Sequence, residues 1–259
     1  MPPRKRRPAA SAEPKLARLA GLPAVEAVFA TAPERVERLF FDARMKAKAG
    51  AYCAVLARAR KPYRLVAGDE LERVAGSVMH GGIVALARPV PLLAFDAAEA
   101  RDWARDGKPL LLLDGVSNPQ NLGAIARSAA FFGLPRMILS DNPAQAGLSD
   151  AAYRIAEGGL DYLRCYRASR FAEALKRLRE HYRVIGTAPG RGSPIDVLGD
   201  SDRPPALVLG NEERGLPQPT LAACEAVATI PGAGPVQSLN VAASAAILIH
   251  ALLGRRRKG

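Results

Sequence analysis

The sequence predicts an α/β protein: a parallel sheet covered by helices in the C-terminal part, preceded by a smaller mixed α/β unit. Two observations predict the sheet. Six short apolar runs recur beyond Lys108, and helical stretches of about ten to fifteen residues separate several of them. The third observation is that the rhythm before Lys108 differs, with short strand, turn and helix units that end at a Gly-Gly pair. A chain of 259 residues, 49% of them hydrophobic, is long enough for two domains with separate cores.

Taken in order, residues 1–15 read MPPRKRRPAASAEPK, a basic start with no apolar segment behind it. That pattern predicts a solvated, disordered tail rather than a signal peptide. VEAVFATAPERVERLFFDARM offers apolar residues at helical spacing, then a short apolar stretch, then charge. KPYRLVAGDELERVAG reads as strand, turn and helix, and in SVMHGGIVALARP the pair Gly81-Gly82 precedes an apolar strand. The first domain is therefore set at residues 16–88. Residues 89–107 read as a linker with a short helix that carries Trp103 on its apolar face. Strands follow at 110–114 (LLLLD), 136–140 (RMILS), 162–167 (YLRCYR), 183–188 (RVIGTA), 206–210 (ALVLG) and 226–230 (AVATI), within a second domain set at 108–255. Ligands of such sheets bind at the carboxyl ends of the strands, which points to the loops after Asp114, Leu209 and Ile230.

Composition narrows the function. A net charge of +12, with basic runs at Arg4 to Arg7 and Arg255 to Lys258, favours an anionic partner such as nucleic acid. Cys53, Cys165 and Cys224 are odd in number and widely spaced, which suggests neither a disulfide framework nor a zinc site and fits a reducing, cytoplasmic setting. His80, His181 and His250 lack ligand spacing, so no metal is expected. The longest apolar run, Val241 to Leu253, falls short of the roughly 20 residues of a membrane span. No GxxxxGK[ST] or strand-following GxGxxG is present, which argues against phosphate-loop and dinucleotide folds.

The first of the three loops, DGVSNPQNLGAIARSAAFFG, enters a helix with Leu122, Ile125, Ala129 and Phe132 on its apolar face. Asn121 is placed near the helix start as a capping residue, with Arg127 six residues on; read blandly, these are a cap and a surface charge. In the second, LVLGNEERGLP, Gly210 and Gly215 let the backbone bend on either side of Asn211, Glu212 and Glu213. In the third, IPGAGPVQSLNVAASAAILIH, a Gly-Pro bend precedes Gln237, Ser238 and Asn240, with Ser238 as the expected cap of a buried helix.

Together NPQNLGAIARSAAFFG, LVLGNEERGLP and IPGAGPVQSLNVAASAAILI resemble, in order and spacing, the three motifs of the SpoU/TrmH family of RNA ribose 2'-O-methyltransferases of the SPOUT superfamily. GLPAVEAVF and MHGGIVALA look like the substrate-binding domain that often precedes the catalytic one. The resemblance implies a deep trefoil knot and a homodimer packed through the knotted domains, with the apolar helix 241–253 as a candidate interface. It implies an S-adenosylmethionine pocket at Leu209, Gly210, Asn211, Gly215, Ile230, Pro231, Gly232, Ser238 and Leu239. Asn121, Arg127, Glu212, Ser238 and Asn240 match the family's active-site positions. The implied reaction is attack of a ribose 2'-hydroxyl on the sulfonium methyl. A guanidinium stays protonated in proteins, so Arg127 is expected to grip the adjacent phosphate and aim the hydroxyl, with the phosphate or a transiently neutral arginine taking the proton. Asn121 and Glu212 are expected to hold Arg127.

One segment departs from the family pattern. Where a Ser- or Ala-rich stretch before Gly-Ala is common, this chain has Glu157-Gly158-Gly159. Two other readings remain open at this point: a non-catalytic RNA-binding or ribosome-assembly factor on the same scaffold, and a methyltransferase that modifies a base. The RNA, ribosomal ahead of transfer, is not fixed by the motifs.

Overall fold

The computed structural model describes residues 15–198 and 201–255. The basic tail, apart from Lys15, lies outside the described residues, as do residues 256–258 of the C-terminal basic run. The N-terminal unit consists of β1 (Ala17–Ala20), α1 (Leu22–Thr31), β2 (Val36–Phe41), α2 (Lys46–Arg58), β3 (Tyr63–Leu65), α3 (Gly68–Ala75) and β4 (Ile83–Ala87). Its sheet has the order β1-β4-β2-β3, with β4 antiparallel to both neighbours and β3 parallel to β2. Gly21, at φ 92, turns the chain from β1 into α1, a conformation that excludes most side chains.

The second unit runs β5 (Leu92–Ala94), α4 (Ala100–Ala104), β6 (Leu110–Asp114), α5 (Pro119–Phe131), β7 (Arg136–Ser140), α6 (Asp150–Ala156), β8 (Arg164–Ala168), α7 (Phe171–Leu178), β9 (Arg183–Thr187), β10 (Ser193–Pro194), β11 (Pro205–Gly210), α8 (Gln218–Ala223), β12 (Ala226–Thr229) and α9 (Val241–Arg255). The strands form one sheet in the order β10-β12-β9-β11-β6-β7-β8-β5, parallel at every pairing. The predicted α/β class, with a parallel sheet behind a small α/β unit, is what the chain adopts.

All five residues of β6 are buried, as a central parallel strand covered on both faces requires. Leu111 and Leu113 pack into one core with residues of α5 and α9, while Leu110 and Leu112 pack into the other with Trp103, α7 and Ala223 of α8. The period-2 alternation of a strand sends successive leucines to opposite layers. Three strands escaped the sequence reading for a physical reason. β1 has four residues, β10 has two, and β5 is an exposed edge inside the stretch read as linker.

The two units meet at the turn after α6. Asp161, whose side chain is fully buried, pairs with Arg35 at 2.7 Å. Burial pushes the Asp161 carboxyl above its ordinary value, and the pull of Arg35 only partly offsets it. Asp161 Oδ2 and Arg35 Nη2 are buried without partners, so this pair fixes the geometry of the junction more than it stabilises it. Nearby, the backbone N–H of Val90 donates to the Tyr153 hydroxyl at 2.6 Å. Among the described residues no helix is long and apolar enough to cross a membrane, and no cluster of three or more His, Cys, Asp or Glu could hold a metal.

Candidate active site

Register alone brings two of the three loops together. Parallel pairing sets Gly210 of β11 opposite Asp114 of β6, so the first and second loops leave the sheet side by side. β12, which feeds the third loop, follows one strand beyond, across β9. The second loop is a tight hairpin: Asn211 and Gly215 exchange backbone hydrogen bonds at 3.0 Å in both directions. Asn211 Oδ1 accepts from the N–H groups of Glu213 and Arg214, and its Nδ2 donates to the Gly115 carbonyl at 2.8 Å, which ties this hairpin to the first loop.

Glu212 sits over the N-terminus of α5. Its carboxylate accepts from the backbone N–H groups of Ser117 and Asn118, from the Ser117 hydroxyl, and from Asn121 Nδ2 at 2.9 Å. An anion is favoured where a helix presents free amides. Burial is the largest single influence on this carboxyl and raises its pKa. The hydrogen bonds, that of Asn121 foremost, prevail and hold it below the ordinary glutamate range. Asn121 Oδ1 in turn accepts from Asn240 Nδ2 at 3.0 Å, and Asn240 Oδ1 accepts from the N–H of Ala242 at 2.8 Å. The amide of Asn121 thus has an acceptor on one side and a donor on the other, which sets its orientation. Glu212, Asn121 and Asn240 form one line of hydrogen bonds across all three motifs.

Two cavities flank this line. One, of about 770 Å³, is lined by all nine residues expected at the cofactor, Leu209, Gly210, Asn211, Gly215, Ile230, Pro231, Gly232, Ser238 and Leu239, together with Thr187 to Gly190 at the end of β9. The other, of about 830 Å³, is lined by Asn121, Glu212, Ser238 and Asn240 among others. S-adenosylmethionine fits the first. Its walls combine apolar Leu209, Ile230, Leu239 and Leu248 with polar Thr187, Asn211, Gln237 and Ser238, and a side chain at Gly232 or Gly234 would meet open space, so the third loop leaves room for a ligand against its backbone. Residues 231–240 are exposed throughout, including Val236 at 79% and Leu239 at 51%.

Three expectations need correction. Asn118, not Asn121, caps α5, by accepting from the Gln120 N–H, and this frees Asn121 for Glu212. Asn240, not Ser238, caps α9, which starts at Val241 and is only partly buried, with Ile247 43% exposed. The third concerns Arg127. Asn121 and Glu212 hold each other, and Arg127 Nη1 instead pairs with Glu157 Oε1 at 2.9 Å. Arg127 lines neither cavity. Six residues past Asn121, it is carried about 240° around the helix, to another face. Exposed ion pairs contribute about 0–1 kcal/mol, and Glu157 adopts φ 44, ψ 47, a left-handed conformation that costs an L-residue roughly 1–2 kcal/mol. The pair does not account for itself by stability.

Sequence reading missed the support behind the site. Gln145, 8% exposed, accepts from the N–H groups of Gly115 and Val116 and donates to the carbonyls of Val116 and Ala146. All its hydrogen-bonding capacity goes to fixing the loop that leads into α5. Asp114 accepts from the Thr220 hydroxyl at 2.6 Å and from Asn142 at 3.2 Å. No spacing signals these partners, which lie about 30 and 100 residues away in the chain.

Comparisons with known proteins identify the family. The family described as SpoU rRNA Methylase matches residues 108–250, and the one described as RNA 2'-O ribose methyltransferase substrate binding matches residues 18–93. The chain is 30% identical over 237 residues to a 23S rRNA (guanosine-2'-O-)-methyltransferase of Acinetobacter baylyi, covering 89% of this chain and 94% of that protein. A Burkholderia protein of the same description is 35% identical over 251 residues, covering 95% and 99%. The chain spans 62% of the length of an uncharacterized tRNA/rRNA methyltransferase of Haemophilus influenzae, at 33% identity over 226 residues. In fold it resembles the AdoMet-bound rRNA methyltransferase of Sinorhizobium meliloti, with a TM-score of 0.73 at 22% identity over 94% of this chain and 88% of that one. The class is therefore that of RNA 2'-O-methyltransferases, which draw their methyl group from S-adenosylmethionine. Within it, the chain belongs to the SpoU rRNA methylase family.

Proposed function

We propose that the chain methylates the 2'-hydroxyl of a guanosine in 23S ribosomal RNA, in the cytoplasm, with residues 16–88 gripping the RNA and residues 108–255 performing the transfer. The observation that carries the catalytic part is the hydrogen-bonded line Glu212–Asn121–Asn240 between the two cavities. The choice of RNA rests on the relatives' descriptions. The trefoil knot belongs to the same reading, and the long excursion from Ile230 to Asn240 between β12 and α9 supports it.

S-adenosylmethionine, held by the loops after β9, β11 and β12, supplies an electrophilic methyl on a sulfonium. A hydroxyl is a weak nucleophile until its proton is removed or polarised. On this reading Arg127 binds the phosphate beside the target ribose through two N–H groups. That grip fixes the 2'-hydroxyl, and the phosphate takes its proton, because the guanidinium stays charged. The line of Glu212, Asn121 and Asn240 holds the three loops in one arrangement, and Ser238, at the border of both cavities, faces the reacting centre.

The test is transfer of labelled methyl to 23S, 16S and transfer RNA from cells lacking this gene, followed by nuclease digestion. Label in an alkali-resistant dinucleotide that contains guanosine, from 23S RNA alone, is the expected result. Label in transfer RNA, or on a base, would overturn the choice of substrate.

The protein works as a homodimer on the same reading. Arg127 and Phe131 lie four residues apart on one face of α5, and Phe131 is 83% exposed. Phe132, just past the end of α5, meets His250 of α9 at 5.8 Å between ring centroids, beside the exposed Ile247. A second copy seated on α5 and α9 would cover this apolar surface and border Arg127. Sedimentation at micromolar concentration should give twice the chain mass, and Phe131→Glu should halve it. A monomeric wild-type protein would rule the homodimer out.

A further inference from the structure

We infer that Glu157 is the positioning residue for Arg127, and that the turn Glu157-Gly158-Gly159 sets the arginine's position from the junction between the two units. This rests on the reading of Arg127 as the group that grips the RNA phosphate. Among the described residues the Arg127 side chain has no other ion-pair or hydrogen-bond partner than Glu157, at 2.9 Å. Contact through Nη1 leaves the opposite edge of the fork for a phosphate.

The backbone around this pair is fixed from three sides. A Cβ on Gly123 of α5 would lie 2.4 Å from the Ala152 carbonyl oxygen of α6, so the two helices pack main chain to main chain. A Cβ on Gly159 would lie 2.8 Å from Cα of Arg127 itself. On the other side, a Cβ on Gly158 would stand 2.6 Å from Cβ of Ala27 and 2.9 Å from the Pro23 carbonyl oxygen, both in α1. Two residues on, Asp161 holds Arg35 of the N-terminal unit. The turn is thus wedged between the N-terminal unit and the arginine's own backbone.

Glu157 is the residue in this turn that does not suit its conformation. The end of α6 has left-handed backbone at position 157, where glycine or asparagine is favoured. Gly158 and Gly159 follow it, so the turn already holds glycine where the packing demands it. What the glutamate adds over a glycine is a carboxylate within reach of Arg127. A half-exposed arginine without it would sample many rotamers, and the phosphate would meet a wandering fork.

The experiment compares wild type, Glu157→Gly, Glu157→Gln and Arg127→Ala in methyl transfer to 23S RNA from cells lacking the gene, with thermal melts of each. Loss of a positioning partner should lower kcat about tenfold in both Glu157 variants. KM for the RNA should stay level or fall, because a carboxylate beside the phosphate site is gone. The melting temperature of Glu157→Gly should hold or rise, because glycine relieves the left-handed strain. A kcat within twofold of wild type in both Glu157 variants, with Arg127→Ala more than a hundredfold down, would overturn the role of Glu157 and leave that of Arg127 standing. Normal turnover in Arg127→Ala would overturn the reading of Arg127, and this inference with it. A lower melting temperature with a raised KM would mark Glu157 as structural and also overturn it.

Discussion

Arg127→Lys should lower single-turnover methyl transfer by about two to three orders of magnitude, the scale of losing one charge-stabilising group at a reacting centre. Lysine keeps the positive charge and most of the length. It loses the planar fork that binds a phosphate through two parallel N–H groups. The arginine side chain is 56% exposed on α5, so the substitution should leave the fold within about 0.5 kcal/mol. S-adenosylmethionine affinity should be unchanged, because Arg127 does not line that cavity. Calorimetric titration and a melt, run beside the rate, separate these effects. A lysine variant working at more than a tenth of the wild-type rate, a loss of less than about 1.4 kcal/mol, would show that charge alone suffices and remove the fork from the mechanism.

The contrast between Arg127 and its expected partners shows what the sequence could and could not carry. The central strands were legible because they are buried on both faces and read as unbroken apolar runs: the predicted strands 110–114 and 136–140 are β6 and β7 to the residue. The loops were legible because glycine and proline mark where a backbone must bend, and all nine residues expected at the cofactor line one cavity. Which side chain pairs with which was not legible. Asn118 and Asn121 are both plausible caps in one short stretch, and only the packed geometry gives the cap to Asn118 and Glu212 to Asn121. The same holds for Ser238 and Asn240 at α9. Glu157 stood out in the sequence as a departure from a family pattern, but its partner lies on another helix. Gln145 gave no signal at all, because a buried glutamine satisfied by four backbone groups has no distinctive neighbours in the chain.

Gly210→Ala should abolish measurable S-adenosylmethionine binding where Gly232→Ala does not, although both glycines line the same cavity. The difference is what a methyl group would meet. At Gly210 a Cβ would lie 2.5 Å from the Gly215 carbonyl carbon and the Leu216 nitrogen, and 2.7 Å from the Gly215 oxygen. These are main-chain atoms of the hairpin's return arm, so no side-chain rotation can relieve the clash. The arm must move away, and the paired bonds between Asn211 and Gly215 must break or stretch. That movement carries Asn211 off Gly115 and Glu212 off the start of α5, which takes apart the cavity wall and the hydrogen-bonded line together. Overpacking of this kind costs about 1–3 kcal/mol of stability, and binding should fall by at least the upper end of that range, more than about a hundredfold, because the displaced arm is itself the wall. At Gly232 no protein atom lies within 4 Å of the added carbon, so the fold is undisturbed and any loss of affinity is confined to the methyl's own contact with the ligand, about tenfold at most. Titration calorimetry on both variants, below the melting temperature of each, decides the matter. Equal affinities in the two would mean that the hairpin does not form the cofactor wall, and the assignment of that cavity to S-adenosylmethionine would have to be withdrawn.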